Sequence, residues 1–335
     1  MAVKKAAIVG CGDVYQVHLE AINALDDIEL VAVCDNDPAQ LALAEHQTGV
    51  VGFDSIAKLL ESTDCDVVHI TTPHFAHADC AIAALEAGKN VILEKPLAHT
   101  IADGQRIIDA AAKATSKIGI CLQNRYNVSS QRLRRLLDEG VLGEIQGGSA
   151  QVMWTRTPDY YHAKPWRGTW EGSGGGLMIN QAYHTIDLAQ WLMGPVIDVK
   201  GQANAMKFGD VIEVEDSVQA MFTNESGTQT SFFASLTMPY NHPVEVEVVG
   251  SLGRALIRDG LTVWFADGSQ KHWQERKAPS VGRTYWGVSH QLLIEDFYQK
   301  LDDTEPFWIT PAESMKTLQI LKKIYDQSPA FTNHN

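Results

Sequence analysis

Three groups of residues in this 335-residue chain have types and spacings that suit chemistry. The first is Gly10-Cys11-Gly12-Asp13-Val14-Tyr15, which follows the apolar run 6–9 and opens an amphipathic stretch. Two glycines at a strand-to-helix turn suit a phosphate: one permits the tight turn and the other lets the backbone approach a pyrophosphate. The helix start, with Asp13 and Val14, adds backbone N–H groups and a partial positive charge. Tyr15 stands where a third glycine usually allows close helix packing, which predicts a slightly displaced helix. The turn alone is a weak signal, but Asp35 follows at the end of the run 28–34. An acid there bonds ribose hydroxyls and repels a 2′-phosphate, so NAD is expected and NADP disfavoured. A simple helix cap is the competing role for Asp35, although Asp37 is better placed for that.

The second group ends the fourth and fifth apolar runs: Thr71-Thr72-Pro73-His74-Phe75-Ala76-His77 and Glu94-Lys95-Pro96. Ligands of doubly wound sheets bind beyond the carboxyl ends of the strands, so both segments, with Thr72, Pro73, His77, Glu94 and Lys95, are expected to border a bound nicotinamide. A lysine between a carboxylate and a proline serves equally well in a surface ion pair. The third group lies in the stretch 177–193, read as one helix, where Asn180, His184 and Asp187 fall at i, i+4 and i+7 and therefore on one face. A helix apolar nearly all round is buried, and a polar stripe on it must find partners. A polyhydroxylated ligand or neighbouring loops would supply them. Between these groups, Asp159-Tyr160-Tyr161-His162 through Trp166-Arg167-Gly168-Thr169-Trp170 is rich in aromatics. Tyr161 and Trp166 are read either as a sugar-ring platform or as packing of an interdomain loop.

The elements that must position these residues follow from periodicity. Short apolar runs at 6–9, 28–34, 50–53, 67–71, 91–93 and 118–122 alternate with amphipathic stretches at 14–25, 38–47, 55–61, 76–87 and 101–114. That alternation predicts an α/β fold beginning with a doubly wound parallel sheet. After residue 122 the pattern changes to a helix at 130–139, a strand at 144–154, the stretch 177–193, several strands across 196–266 and two closing helices at 289–301 and 311–325. Residues 217–223 and 228–236 flank the hairpin turn Asn224-Glu225-Ser226-Gly227. Two domains are expected, 1–122 binding the dinucleotide and 123–335 forming an α/β domain with an open, mostly antiparallel sheet.

Composition excludes several classes. A net charge of −14 repels nucleic acid and anionic membranes. No apolar stretch reaches the roughly 18 residues that suggest a membrane span, and the N-terminus lacks a signal-peptide pattern, so a cytoplasmic location is expected. The five cysteines show no zinc spacing and are expected to be reduced, buried thiols. No metal is expected.

Taken in order, Gly10-x-Gly12, Glu94-Lys95-Pro96, Trp166-Arg167, Gly174-Gly175-Gly176 and Asn180-x-x-x-His184-x-x-Asp187 resemble the Gfo/Idh/MocA oxidoreductases, a family that includes glucose–fructose oxidoreductase and inositol dehydrogenase. The resemblance spans essentially the whole chain. It implies a site between two domains, a sugar or cyclitol substrate oxidised or reduced at a secondary alcohol, and dimers or tetramers built on the open sheet. It makes Lys95 and His184 the catalytic residues and Asp187 the acid that follows the histidine. It places Arg167 near the cofactor, and Gln123, Asn124, Arg125 and Tyr126 beside nicotinamide and substrate. Asn180 stands where many members have Asp, and an amide bonds but does not titrate. The implied chemistry is hydride transfer between nicotinamide and an alcohol carbon, with His184 as general base and Lys95 stabilising the alkoxide, or the two exchanged. A non-catalytic NAD and metabolite sensor on the same fold, and an NAD-using glycosidase, are the alternatives.

Overall fold

The computed structural model describes residues 3–276 and 288–331. The chain divides into two compact units, Met1–Gln123 with Val288–Met315, and Asn124–Gly287 with Lys316–Asn335. The first unit is therefore discontinuous in sequence. The helix Ser289–Gln299, which the sequence reading leaves in the second domain, packs against Tyr15–Asn23 of the first unit.

The first unit holds a six-stranded parallel sheet of β1 (Lys4–Val9), β2 (Ile28–Cys34), β3 (Val51–Phe53), β4 (Val67–Ile70), β5 (Asn90–Leu93) and β6 (Ile118–Ile120), in the order β3-β2-β1-β4-β5-β6. The order reverses between β1 and β4, so a ligand crevice opens at the carboxyl ends of these two strands. The apolar runs make this sheet because both of its faces are covered: Ala6 through Ile8 and Val67 through Ile70 are fully buried. Local chemistry sets the helix ends. Asp37 caps Pro38–Thr48 by accepting from Ala39 N–H, Pro38 fills the first turn, and Gly49 closes it in the left-handed region at φ 72°.

The second unit is built on an eight-stranded sheet of β7 (Ile145–Met153), β8 (Val196–Asn204), β9 (Ser217–Asn224), β10 (Gln229–Ser235), β11 (Glu245–Gly250), β12 (Gly253–Ile257), β13 (Gly260–Phe265) and β14 (Gln270–Gln274), ordered β14-β13-β12-β11-β7-β10-β9-β8. Every neighbouring pair is antiparallel except β7 with β10. The period-2 pattern assigns the faces. In β10, Thr230, Phe232 and Ala234 point into the core while Gln229, Ser231 and Phe233 point out. The helix Tyr183–Met193 packs on the buried face against β7 and β11.

The stretch 177–193 is not one helix. It forms Leu177–Asn180 and Tyr183–Met193, separated at Gln181 and Ala182. Ala182 N–H reaches back five residues to the Leu177 carbonyl at 2.9 Å, a wide turn that breaks the 3.6-residue period. The expected common face of Asn180 with His184 and Asp187 is thereby lost, while His184 and Asp187 keep theirs.

Candidate active site

In the first unit the glycine turn is pinned from both sides. Gly10 N–H donates to the Cys34 carbonyl at 2.8 Å, and the Thr71 hydroxyl donates to the Gly10 carbonyl at 2.5 Å. Gly10 has φ 98°, and a Cβ there would lie 2.7 Å from the backbone of Thr71 and Thr72. A Cβ on Gly12 would meet nothing within 4 Å. Gly10 is thus needed by the fold itself, whereas the space beside Gly12 is open. The helix Tyr15–Asn23 begins at Val14 without a side-chain cap, which leaves its N-terminus suited to an anion. Asp35 accepts from Cys11 N–H at 2.6 Å through Oδ2 and from Asp37 N–H at 2.8 Å through Oδ1. Each carboxylate oxygen retains lone-pair capacity for a ribose hydroxyl. These residues fit NAD. Tyr15 is buried, its hydroxyl has no hydrogen-bond partner among the described residues, and burial pushes that phenol up to about 12.

The loops after β4 and β5 are joined by His77. Its Nδ1 lies 2.8 Å from the Pro96 carbonyl and its Nε2 lies 3.1 Å from the Thr72 carbonyl. Burial lowers the ring to about 4, so it is neutral at pH 7. The ring lies between the two loops, and as a neutral imidazole it donates to one of these two carbonyls. The Lys95–Pro96 peptide is cis. Burial lowers the pKa of the Lys95 ammonium, and the Glu94 charge opposes that shift. Glu94 itself is buried and accepts from His18 and His290, each at 3.0 Å. Burial alone would raise its carboxyl, but these two hydrogen bonds together with the charge interactions with His290 and His18 outweigh it and hold the group well below its usual range. His18 Nε2, a Glu94 oxygen and Cys121 Sγ lie within 4.8 Å of one another, and the His18–Glu94 hydrogen bond accounts for that grouping.

In the second unit the structure brings Arg125 and Asp187 together. Arg125 Nε and Nη2 donate to the two Asp187 oxygens at 2.8 and 2.7 Å, and both side chains are 1% exposed. Thr317 also donates to Asp187 at 3.2 Å. The sequence reading left the partners of Asp187 open between a ligand and neighbouring segments, and placed Arg125 beside nicotinamide and substrate. In the structure the two form a bidentate buried pair that fastens the segment after Gln123 to the helix carrying His184. His184 is half-buried on that helix. Asn180 Nδ2 donates to the Gly176 carbonyl at 3.3 Å.

The aromatic loop stacks on arginines. The Arg167 guanidinium lies 4.5 Å from the centre of the Tyr160 ring and 5.7 Å from Trp166, and Arg156 lies 5.0 Å from Tyr160. Tyr161 is buried with its hydroxyl unpartnered among the described residues, and burial raises that phenol.

Glu215 escaped the sequence reading. Its Oε2 accepts from Gly176 N–H at 3.0 Å and from the Tyr325 hydroxyl at 2.7 Å, and its Oε1 accepts from Met178 N–H at 2.8 Å. It thereby anchors the Gly174–Gly176 loop that leads to Asn180. An acid in the alternating run Ile212-Glu213-Val214-Glu215 reads as an exposed strand position, so no local signal marks it.

Profiles of known families match this chain in two places. Residues 4–120 match the oxidoreductase family with an NAD-binding Rossmann fold, and residues 130–256 match the GFO/IDH/MocA C-terminal domain. Inositol 2-dehydrogenase of Salmonella typhimurium is 28% identical over 258 residues, 75% of this chain and 73% of that protein. The D-glucoside 3-dehydrogenase of Escherichia coli K12 is 32% identical over 195 residues, 57% of this chain and 54% of that one. Among solved structures, the WlbA dehydrogenase from Bordetella pertussis, in complex with NADH and UDP-GlcNAcA, is 30% identical, covers 98% of this chain and 96% of its own, and superposes with a TM-score of 0.84. Levoglucosan dehydrogenase, at 22% identity and a TM-score of 0.85, shares the fold.

Two outcomes are expected. Replacing Asp187 by Ala strands a buried guanidinium, so urea unfolding should show a loss of about 3–5 kcal/mol. Unchanged stability with lost activity would return Asp187 to substrate binding. Burial raises the Glu215 carboxyl from its ordinary 4.5 to about 7 in the folded state. A raised carboxyl stabilises fully below its unfolded value, and the contribution is lost as pH rises through the folded one. The melting-temperature advantage of wild type over Glu215→Gln should therefore be largest near pH 4.5 and shrink by about pH 7. A gap that stays constant or widens over that range contradicts the assignment.

Proposed function

Because the chain belongs to the GFO/IDH/MocA oxidoreductase family, we propose that it is an NAD-dependent dehydrogenase that oxidises, or in reverse forms, a secondary alcohol of a sugar, glycoside or cyclitol, with Lys95 and His184 as its catalytic residues. The observation that carries this reading is a dinucleotide turn and a half-buried lysine in one unit. Gly10 through Gly12 is pinned to Asp35 and Thr71, and Lys95 lies at the end of β5 beside an ionised Glu94.

NAD, when bound, supplies the hydride acceptor. The remaining work falls to the chain. Gly12, Asp13 and Val14 receive the pyrophosphate at the helix start, and Asp35 accepts from the ribose hydroxyls. Thr72, Pro73, Glu94, Gln123 and Arg167 border the cofactor in this reading. His184 takes the proton of the substrate hydroxyl, since an imidazole ordinarily titrates near about 6.5. Lys95, as an ammonium, donates to the same oxygen and stabilises its growing negative charge. Asn180, Tyr161 and Trp166 hold the remaining hydroxyls and the ring face. Arg125 and Asp187 position the helix that carries His184.

No helix among the described residues is long and apolar enough to cross a membrane. The five cysteines are free and buried, which supports a reducing, cytoplasmic setting. The outward face of the eight-stranded sheet exposes Met221 and Phe233, and this supports a homodimer or homotetramer formed through that face.

A panel of inositols, free hexoses and glycosides incubated with NAD should yield NADH with at least one member. Aglycone release without net NADH would mark a glycosidase instead, and NAD binding without turnover a sensor. With the active substrate, Lys95→Ala should lower kcat at least about 100-fold while NAD affinity stays near wild type. Turnover within about tenfold of wild type would remove Lys95 from the mechanism.

A further inference from the structure

Behind Lys95, the first unit buries a set of titratable side chains of which the catalytic reading uses only Glu94. His18 and His69 have no exposed surface, and Glu94, His290 and Tyr298 are nearly as deep. They come from four separate places. His18 lies on the helix that starts at the glycine turn, His69 lies on β4, Glu94 follows β5, and His290 and Tyr298 lie on Ser289–Gln299. The contacts run in a line. His18 Nε2 and His290 Nε2 each lie 3.0 Å from Glu94 Oε1, His18 Nδ1 lies 2.9 Å from His69 Nδ1, and His69 Nε2 lies 2.9 Å from the Tyr298 hydroxyl.

The proton count in this line is constrained. An ionised Glu94 only accepts, so His18 and His290 both donate to it through Nε2–H. Burial lowers the pKa of His18 and His69 and keeps both rings neutral. A neutral His18 with its proton on Nε2 presents a lone pair at Nδ1, so His69 donates through Nδ1–H. His69 then presents a lone pair at Nε2, and the Tyr298 hydroxyl donates to it. Every bond points toward Glu94, and each one fixes the tautomer that the next requires.

We propose that Tyr298, His69, His18 and His290 are positioning residues that act through Glu94 on Lys95, holding the Glu94 carboxylate ionised so that Lys95 keeps its proton. The proposal rests on the catalytic assignment of Lys95 made above. Within the first unit, the titratable groups facing this pair are His77 toward Lys95, and His18, His290 and Cys121 toward Glu94. His77 is neutral and the Cys121 thiol is held well above its ordinary value, with burial the larger cause and the Glu94 charge adding to it. Glu94 is thus a negative charge beside Lys95 that favours its ammonium form. Loss of a donor to Glu94 weakens that charge, and Lys95 then releases its proton at lower pH.

The test reads the titration of Lys95 without using turnover. The full-length protein is labelled competitively with acetic anhydride across a pH series, and the extent of Lys95 acetylation is measured by mass spectrometry. His18→Leu and His290→Leu should each lower the Lys95 midpoint by about one pH unit. Tyr298→Phe should lower it by less, and His18→Gln and His290→Gln, whose amides still donate, should stay near wild type. A midpoint unmoved by the Leu variants, or moved as far by Gln as by Leu, overturns the proposal. If the Leu variants do not fold, Tyr298→Phe, which loses one oxygen, decides on the same criterion of a lowered or an unmoved midpoint. The alkaline limb of kcat should follow the Lys95 midpoint. A moved midpoint with an unmoved limb upholds the network and removes Lys95 from catalysis.

Discussion

Burying a carboxylate without donors is among the most costly arrangements a fold can contain, and Glu94 shows what this chain does to meet that cost. Two imidazoles converge on one of its oxygens, His18 from the helix behind the dinucleotide turn and His290 from a helix near the far end of the sequence. Supplying them requires the helix Ser289–Gln299 to cross back and pack on Tyr15–Asn23. The discontinuous first unit follows from this, and so does the placing of Lys95 beside a fixed negative charge. The phosphate-binding turn, the lysine loop and a late helix are thus tied to one another through a single buried anion.

The second unit solves a similar problem twice. The Arg125–Asp187 pair buries two full charges, and its bidentate geometry with the Thr317 hydroxyl compensates them. Its effect is to hold the orientation of the helix on which His184 sits. Glu215 takes the backbone N–H groups of Gly176 and Met178 together with the Tyr325 hydroxyl, and so sets the course of the loop before Asn180. In both units, buried side chains fix the backbone that carries the residues proposed to react.

Much of this was legible in the sequence. Short apolar runs buried on both faces, Asp37 ahead of Pro38, and glycines at helix ends are local signals, and the parallel sheet forms where they place it. The glycine turn was readable because a phosphate-binding loop needs adjacent residues, and Asp35 because it directly follows the second apolar run. What escaped depends on distance along the chain. The partner of Asp187 lies 62 residues away and that of Glu94 lies 196 residues away, so a stripe at i, i+4 and i+7 could not tell a substrate contact from an internal ion pair. The wide turn at Ala182 was invisible for a different reason. The stretch is helical in composition on both sides of the break, and no glycine or proline marks the change.

The account turns on the direction of the hydrogen bonds that lead to Glu94, and ¹⁵N NMR of the histidine rings reads that direction directly. At pH 7, His18 should carry its proton on Nε2 and His69 on Nδ1, with both rings neutral. A proton on Nδ1 of His18, matched by one on Nε2 of His69, would mean that the bonds run the other way and that Glu94 is not held ionised by the network behind it.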